Sequence, residues 1–215
     1  MRTHIMNSTT TQPNWEERYQ SVGADYLFGT QPNEFLASCQ PLFNAGETAI
    51  CVADGEGRNS VWLAKQGLDV TAVEYSPTAL AKAEHLAAQH GVKVSYVKAD
   101  ILAADWPSSP TAQYDWVIAV FIQFADARQR AKQFNDLKAL CKSGGRILLV
   151  GYTLKQLEYG TGGPSNPDNL YSEELLQQAF ADYQIETLRS YEKVLDEGSR
   201  HRGQSAVVGM IAAKP

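Results

Sequence analysis

The residues best suited to chemistry cluster in 49–74, where an acidic turn containing two glycines, Asp54-Gly55-Glu56-Gly57, follows a short apolar run. Gly55 and Gly57 lack Cβ atoms, so the chain can bend sharply and a ligand can press on bare backbone. A helical pattern opens near Arg58, and its first turn offers unpaired N–H groups and a positive dipole end. A second apolar run, 70–73, ends on Glu74, about twenty residues past the first glycine, where a carboxylate can accept both hydroxyls of a ribose. Strand, turn, helix and strand in that order form a right-handed βαβ crossover. Such a unit takes an adenosine-containing ligand.

Two ligand classes compete for it. A nicotinamide or flavin site wants G-x-G-x-x-G, whereas the third position here is Ser60. Asp54 inside the turn would also repel a pyrophosphate. S-adenosylmethionine carries no phosphate but does carry a sulfonium and an α-amino group, and the charge sign of Asp54 and Glu56 suits it. An NAD(P)-dependent oxidoreductase stays open as the alternative.

The elements that must position these groups follow from periodicity. Polar residues 1–13 are expected to be a disordered tail. Residues 14–45, with short helices over 15–19 and 34–43, are expected to form a lid or cap over the ligand, placing Trp15, Tyr26 and Phe28 against it; the alternative is plain core packing. The domain proper is expected over 46–215. Ser76-Pro77 reads as N-cap and first helical residue, and His90-Gly91 as the close of that helix. A third strand over 93–98 delivers Asp100 and Ile101, a carboxylate for the adenine amino group and an apolar wall for its ring. Residues 114–120 form a continuous apolar strand buried on both faces, and Phe121 begins at its carboxyl end. Asp126 caps a helix running to Cys141, Gly144-Gly145 stops it, and 146–152 is a fifth strand. After a long loop, 153–170, and a helix capped by Ser172, two strands over 184–194 and 204–212 make an antiparallel pair. The expected class is α/β with a seven-stranded, mostly parallel sheet, a C-terminal antiparallel hairpin and helices on both faces.

Composition sets bounds. At 215 residues one α/β domain is the default. A net charge of −5 and the lack of any Lys/Arg cluster argue against nucleic acid or an anionic membrane. No apolar run reaches the roughly 20 residues of a membrane span, and the polar start is unlike a signal peptide, so a cytoplasmic location is expected. The three cysteines, Cys39, Cys51 and Cys141, have no metal spacing, and no metal site is expected.

The acidic glycine turn, Glu74, Asp100, Gly144-Gly145 and the terminal hairpin together resemble a class I S-adenosylmethionine-dependent methyltransferase with a Rossmann-like fold. G-E-G-R-N-S-V-W-L-A and W-E-E-R-Y…Y-L-F-G-T-Q-P-N look like its tellurite-resistance and thiopurine-methyltransferase branch. The resemblance covers about residues 14–213. It implies that Ala53, Asp54, Gly55 and Gly57 line the methionine part of the donor, that Glu74 holds the ribose, and that Tyr75 lies against the adenine. Asp100 and Ile101 would frame the base, and Val120 and Phe121 would touch the donor from the fourth strand. Cys51 stands where an acid is usual and Ala53 where the first glycine is usual, so the donor's amino group falls to Asp54 or a water. Those two departures also leave open a protein that binds the donor without catalysis.

Methyl transfer from a sulfonium is an in-line displacement on an activated donor, so a base is needed only for a protonated, hard nucleophile. Phe121-Ile122-Gln123-Phe124 stands where a nucleic-acid amino methylase carries D/N-P-P-Y/F, which argues against that substrate. The expected acceptor is small and polarisable, a thiol or a tellurium or selenium oxyanion. His201, between Arg200 and Arg202, is the acid/base candidate, with an exposed loop histidine as the alternative. Tyr159 is a second candidate, and Tyr159 and Arg202 are expected to meet the acceptor. The chain is expected to act as a monomer or homodimer, with no partner beyond its small-molecule acceptor.

Overall fold

The computed structural model describes residues 14–107, 113–198 and 201–215; the expected tail and Arg200 lie outside these. Seven strands form one sheet in the order β3-β2-β1-β4-β5-β7-β6. β1 (Thr48–Val52), β2 (Asp69–Glu74), β3 (Ser95–Lys98), β4 (Tyr114–Val120) and β5 (Cys141–Tyr152) run parallel, and β7 (His201–Ala213) runs opposite to them, pairing antiparallel with both β5 and β6 (Gln184–Glu197). The strand order reverses between β1 and β4, which opens a crevice at their carboxyl ends.

Alternation along the strands feeds two cores. Ile50, Val52, Val117, Ala119, Ile147 and Leu149 face α5 (Ala127–Leu140) and α7 (Glu173–Ala179) on one side. Ala49, Cys51, Val70, Ala72, Trp116 and Ile118 face α2 (Glu34–Ser38) and α3 (Arg58–Lys65) on the other. Strands buried on both faces explain why the sequence reads as continuous apolar runs. α4 (Pro77–His90) packs on α3 and β3, capped by the Ser76 side chain at its start and by Gly91 in the left-handed region at its end.

Several boundaries differ from those read in the sequence. The second helix stops at Ser38, and Pro41 sits in a separate 3-10 turn, because proline cannot supply the next helical N–H. Cys141 begins β5 rather than ending α5, with a register shift opposite Tyr114 and Trp116 absorbing the glycines. The loop 153–170 contains a single-turn helix, α6 (Gln156–Tyr159). The terminal strands are longer than their apolar stretches: pairing continues from Leu195↔Gly203 to Glu197↔His201, so the expected loop 196–203 is mostly ladder. Backbone pairing carries polar residues into strands where hydropathy alone ends them.

The expected 14–45 cap divides. Phe35, Leu36 and Cys39 belong to the second core, while α1 (Trp15–Ser21) and the turn after it stand over the crevice.

Candidate functional site

A cavity of about 350 Å³ opens at the carboxyl ends of β1, β2 and β4. That size lies within the range usual for small-molecule sites, roughly 300–1,000 Å³. Ala53, Asp54, Gly55, Glu74, Tyr75, Asp100, Ile101, Val120 and Phe121 all line it. Gly57 is the exception among the expected donor residues. Its φ is +90°, and a Cβ there would meet the Ala83 Cβ at 2.8 Å, so this glycine lets α3 approach α4 rather than a ligand.

The acids at one end are differently engaged. Glu74 accepts from the N–H groups of Gly55 (3.0 Å), Tyr75 (3.0 Å) and Ser76 (2.9 Å), fixing the turn against the end of β2. Burial raises its carboxyl above the ordinary value despite those donors. Asp54 Oδ2 accepts from the Ser60 hydroxyl, while Oδ1 is buried with no partner. Burial pushes Asp54 up to about 6, against the Ser60 hydroxyl, and the nearby Glu74 charge adds to the rise. A buried acceptor without a donor is costly unless a ligand supplies one. An ammonium group of a bound molecule answers that need, and the residues present fit the S-adenosylmethionine expected from the sequence. Ser60, at the third-glycine position, has become the hydroxyl that orients Asp54.

Glu56 does not join them. Its Oε1 pairs with Lys82 Nζ at 2.9 Å, and its Oε2 accepts from the Leu27 N–H at 2.8 Å. The sequence-based reading gave Glu56 to the donor's positive charge; the Glu56 carboxylate instead pairs with Lys82 and pins the leading segment. Lys82 also donates to the carbonyls of Tyr19 and Asp25. Glu16 adds a second anchor by accepting from the Ser76 and Thr78 hydroxyls at the start of α4.

So held, the leading segment brings Trp15, Tyr19 and Phe28 to the cavity wall. Tyr19 was not among the residues expected at the site; burial, with Glu74, Glu56 and Asp54 nearby, raises its phenol well above the ordinary value. Tyr26 is not at the cavity. Its hydroxyl donates to the Lys82 carbonyl on the outer side of α4, so that expectation is corrected.

The remaining wall comes from the other end of the chain. Gly198, in the turn after β6, lies so near the leading segment that a Cβ there would stand 2.5 Å from the Leu27 carbonyl oxygen. Beside it His201 is 8% exposed and lines the cavity, with ring centroids of Phe28 and Phe121 each 4.5 Å away. Phe121 holds φ +56°, an uncommon backbone for a bulky residue, and stacks on Tyr152 at 4.6 Å. Burial lowers the His201 imidazole below its ordinary value, with Glu197 opposing. Arg58 Nη2 meets Glu197 Oε2 at 2.8 Å, and Asn33 Nδ2 donates to Glu197 Oε1 at 2.9 Å.

Two further expectations fail on position. Tyr159 donates to Glu192 on the outer face of the hairpin, because α6 turns it away from the cavity. Arg202 is exposed and pairs with Asp196 across the ladder at 3.4 Å; its neighbour His201 points in, and strand alternation sends Arg202 out. Among the described residues no three His, Cys, Asp or Glu side chains come together as a metal site, and no helix is long and apolar enough to cross a membrane.

Comparison with known proteins agrees with this geometry. A methyltransferase-domain family matches residues 49–145. The chain is 30% identical over 167 residues to Hemagglutinin 1 of Eikenella corrodens, covering 75% of this chain and 52% of that protein. An uncharacterised protein of Mycobacterium tuberculosis is 30% identical over 133 residues, covering 59% of this chain and 47% of its own length. The chain thus spans about half the length of the curated relatives it matches. Among solved structures, TehB from Haemophilus influenzae superposes with TM-score 0.68 at 18% identity, covering 85% of this chain and 62% of its own. The N-methyltransferase NodS from Bradyrhizobium japonicum in complex with S-adenosyl-L-homocysteine gives 0.70 at 12%, covering 93% and 96%. A structure described as the conversion of a disulfide bond into a thioacetal group during echinomycin biosynthesis gives 0.71 at 17%, covering 93% and 91%. The chain has the Rossmann-like fold of these methyltransferase structures, and residues 49–145 match a methyltransferase-domain family.

Proposed function

We propose that this chain transfers the methyl group of S-adenosylmethionine to a small polarisable acceptor, and that within this class a thiol is favoured over a tellurium or selenium oxyanion. The charge around the cavity carries the reading. Asp54, Glu74 and Asp100 line it, and Arg58, its one lysine or arginine among the described residues, is already paired with Glu197. A cationic sulfonium gains from that field, while a dianion would meet acids and, among the described residues, no free cation. Trp15, Phe28, Phe121 and Phe124 give the acceptor end a soft, water-poor wall. The sulfur chemistry in the description of the echinomycin structure supports the thiol, and the TehB likeness is compatible with the tellurite branch.

The bound donor supplies an activated methyl group. Asp54 would accept its ammonium group, Glu74 and Asp100 its ribose and base, and Ile101 would cover the ring. Holding nucleophile and methyl carbon in line, with water excluded, is worth roughly 7–11 kcal/mol for well-oriented pairs. The leading segment is the element that excludes water. Glu56 and Glu16 help hold its aromatics at the cavity.

Calorimetry with S-adenosylhomocysteine and NAD(P)H, followed by labelled-methyl transfer to thiols, selenite and tellurite, tests the proposal. The expectation is that S-adenosylhomocysteine binds, that Glu74→Ala weakens it at least tenfold, or about 1.4 kcal/mol, and that thiols are methylated. Uptake of the dinucleotide alone would remove the methyl donor, and labelling of oxyanions without thiols would reverse the acceptor preference.

A further inference from the structure

We infer that His201 is the base that takes the acceptor's proton, with Glu197 as the positioning residue behind it; the inference rests on the thiol reading above. His201 and Glu197 are the last register pair of the hairpin, so the ladder itself sets them side by side. His201 Nδ1 is buried, has no hydrogen-bond partner and stands 3.8 Å from Glu197 Oε2. That gap is longer than a hydrogen bond, but catalytic contacts commonly tighten when substrate binds.

The carboxylate is prepared for the role. A carboxylate oxygen has room for two donors. Glu197 Oε1 is taken by Asn33, and Oε2 by Arg58, which leaves Oε2 one place on the side toward the imidazole. A proton on Nδ1 would fill it, and the ring's Nε2 lone pair is then the one left for the cavity. Arg58 and Asn33 come from α3 and the leading segment, so two distant parts of the chain hold this one group. Such an arrangement fixes both tautomer and ring direction, as a triad's third member does.

Among the described residues, the groups facing His201 are Glu197 from β6, Arg58 from α3, and the Tyr152 ring from β5, with Phe28 and Phe121 carrying no charge. Of the other carboxylates lining the cavity, Asp54 accepts from the Ser60 hydroxyl, Glu74 from the Gly55 N–H of the glycine turn, and Asp100 from the Leu102 N–H. An imidazole kept neutral by burial is a competent acceptor near neutral pH.

The step balances without another reactant. The thiol S–H proton passes to Nε2, the sulfur lone pair forms the new S–CH₃ bond, and the donor's C–S bond breaks with its electron pair staying on the departing sulfur. The products are a thioether, S-adenosylhomocysteine and an imidazolium that returns its proton to solvent.

The test compares His201→Asn with wild type on two acceptors: a nitrothiophenol, ionised at the assay pH, and an alkanethiol, mostly protonated. Expected is a loss of kcat/KM of about 10²–10⁴-fold for the alkanethiol and less than about tenfold for the nitrothiophenol. Binding of S-adenosylhomocysteine is measured beside it to establish that the variant folds. An equal loss on both thiols, or none, overturns the base and leaves His201 as a wall of the cavity. If wild type binds S-adenosylhomocysteine yet methylates neither thiol, the acceptor reading fails and the base falls with it. Glu197→Gln, which cannot hold the tautomer as a carboxylate does, is expected to lower alkanethiol turnover and shift its pH profile while sparing KM for the donor. An unmoved profile would limit Glu197 to a structural pair with Arg58.

Discussion

Arg58, in the first turn of α3, and Glu197, at the end of β6, meet at 2.8 Å with only 7% and 5% of their side chains exposed. They are 139 residues apart in the chain. A buried pair of this kind costs heavily when one partner is lost, because the other charge stays behind without water. It therefore reports directly on whether the hairpin tip is docked on the α3 turn.

Arg58→Met and Glu197→Leu should each destabilise the protein by about 3–5 kcal/mol, whereas the double replacement should recover most of that loss. Urea unfolding of the three variants checks this. Additive losses in the double variant would mean that the two side chains do not share one buried contact.

Acid should undo the same contact. Burial alone would raise the Glu197 carboxyl, but His201 and Arg58 bring it down to about 2 from an ordinary 4.5. The folded state then binds fewer protons than the unfolded chain between those values. Its contribution is fully present above about pH 4.5 and is lost as the pH falls toward 2. Thermal unfolding across this range should show a steeper acid decline for wild type than for Glu197→Gln; parallel curves would contradict the assignment.

Asp54 works in the opposite sense. Its carboxyl is raised to about 6 from 3.8, so the folded state binds more protons than the unfolded chain in that window, and stability falls as the pH rises through it. Asp54→Asn should flatten that decline, raise the melting temperature of the unliganded protein at neutral pH, and weaken S-adenosylhomocysteine at least tenfold (about 1.4 kcal/mol). Unchanged ligand affinity would show that the orphaned Oδ1 is not what receives the ammonium group.

The leading segment depends on Glu56. Glu56→Gln leaves the Lys82 ammonium without its counter-charge and weakens the acceptor for the Leu27 and Phe28 N–H groups. Hydrogen exchange at those two amides should accelerate at least tenfold, and donor affinity should fall as Trp15, Tyr19 and Phe28 lose their support. Protection as strong as in wild type would mean that Glu16 on α4 and the Gly198 turn suffice to hold the segment.

The βαβ unit, the seven strands and most of the cavity lining at the carboxyl ends of β1, β2 and β4 were legible in the residues. Strand runs, glycine turns and the placing of Glu74 and Asp100 at strand ends are local patterns, and the sheet merely repeats them. Tyr26, Tyr159 and Arg202 were misplaced because aromatic or basic character says nothing about which side of a loop or ladder a side chain leaves from. Tyr19 and Asn33 were missed for the converse reason: each matters through a neighbour that lies far along the chain. Gln123 belongs with them. Its amide clamps Tyr152 and Asn169 backbone groups, a use no motif signals.

By itself the sequence determined a Rossmann-like methyltransferase fold and a crevice beside an acidic turn, since periodicity and glycine spacing are written in consecutive residues. Only the tertiary structure decided that Asp54 turns into the cavity while Glu56, two residues on, turns out to Lys82. The same holds for the long terminal strands that carry Glu197 and His201 to the opposite wall. Side-chain direction in an irregular turn is set by whichever distant partner satisfies it, and those partners meet only when the sheet is assembled.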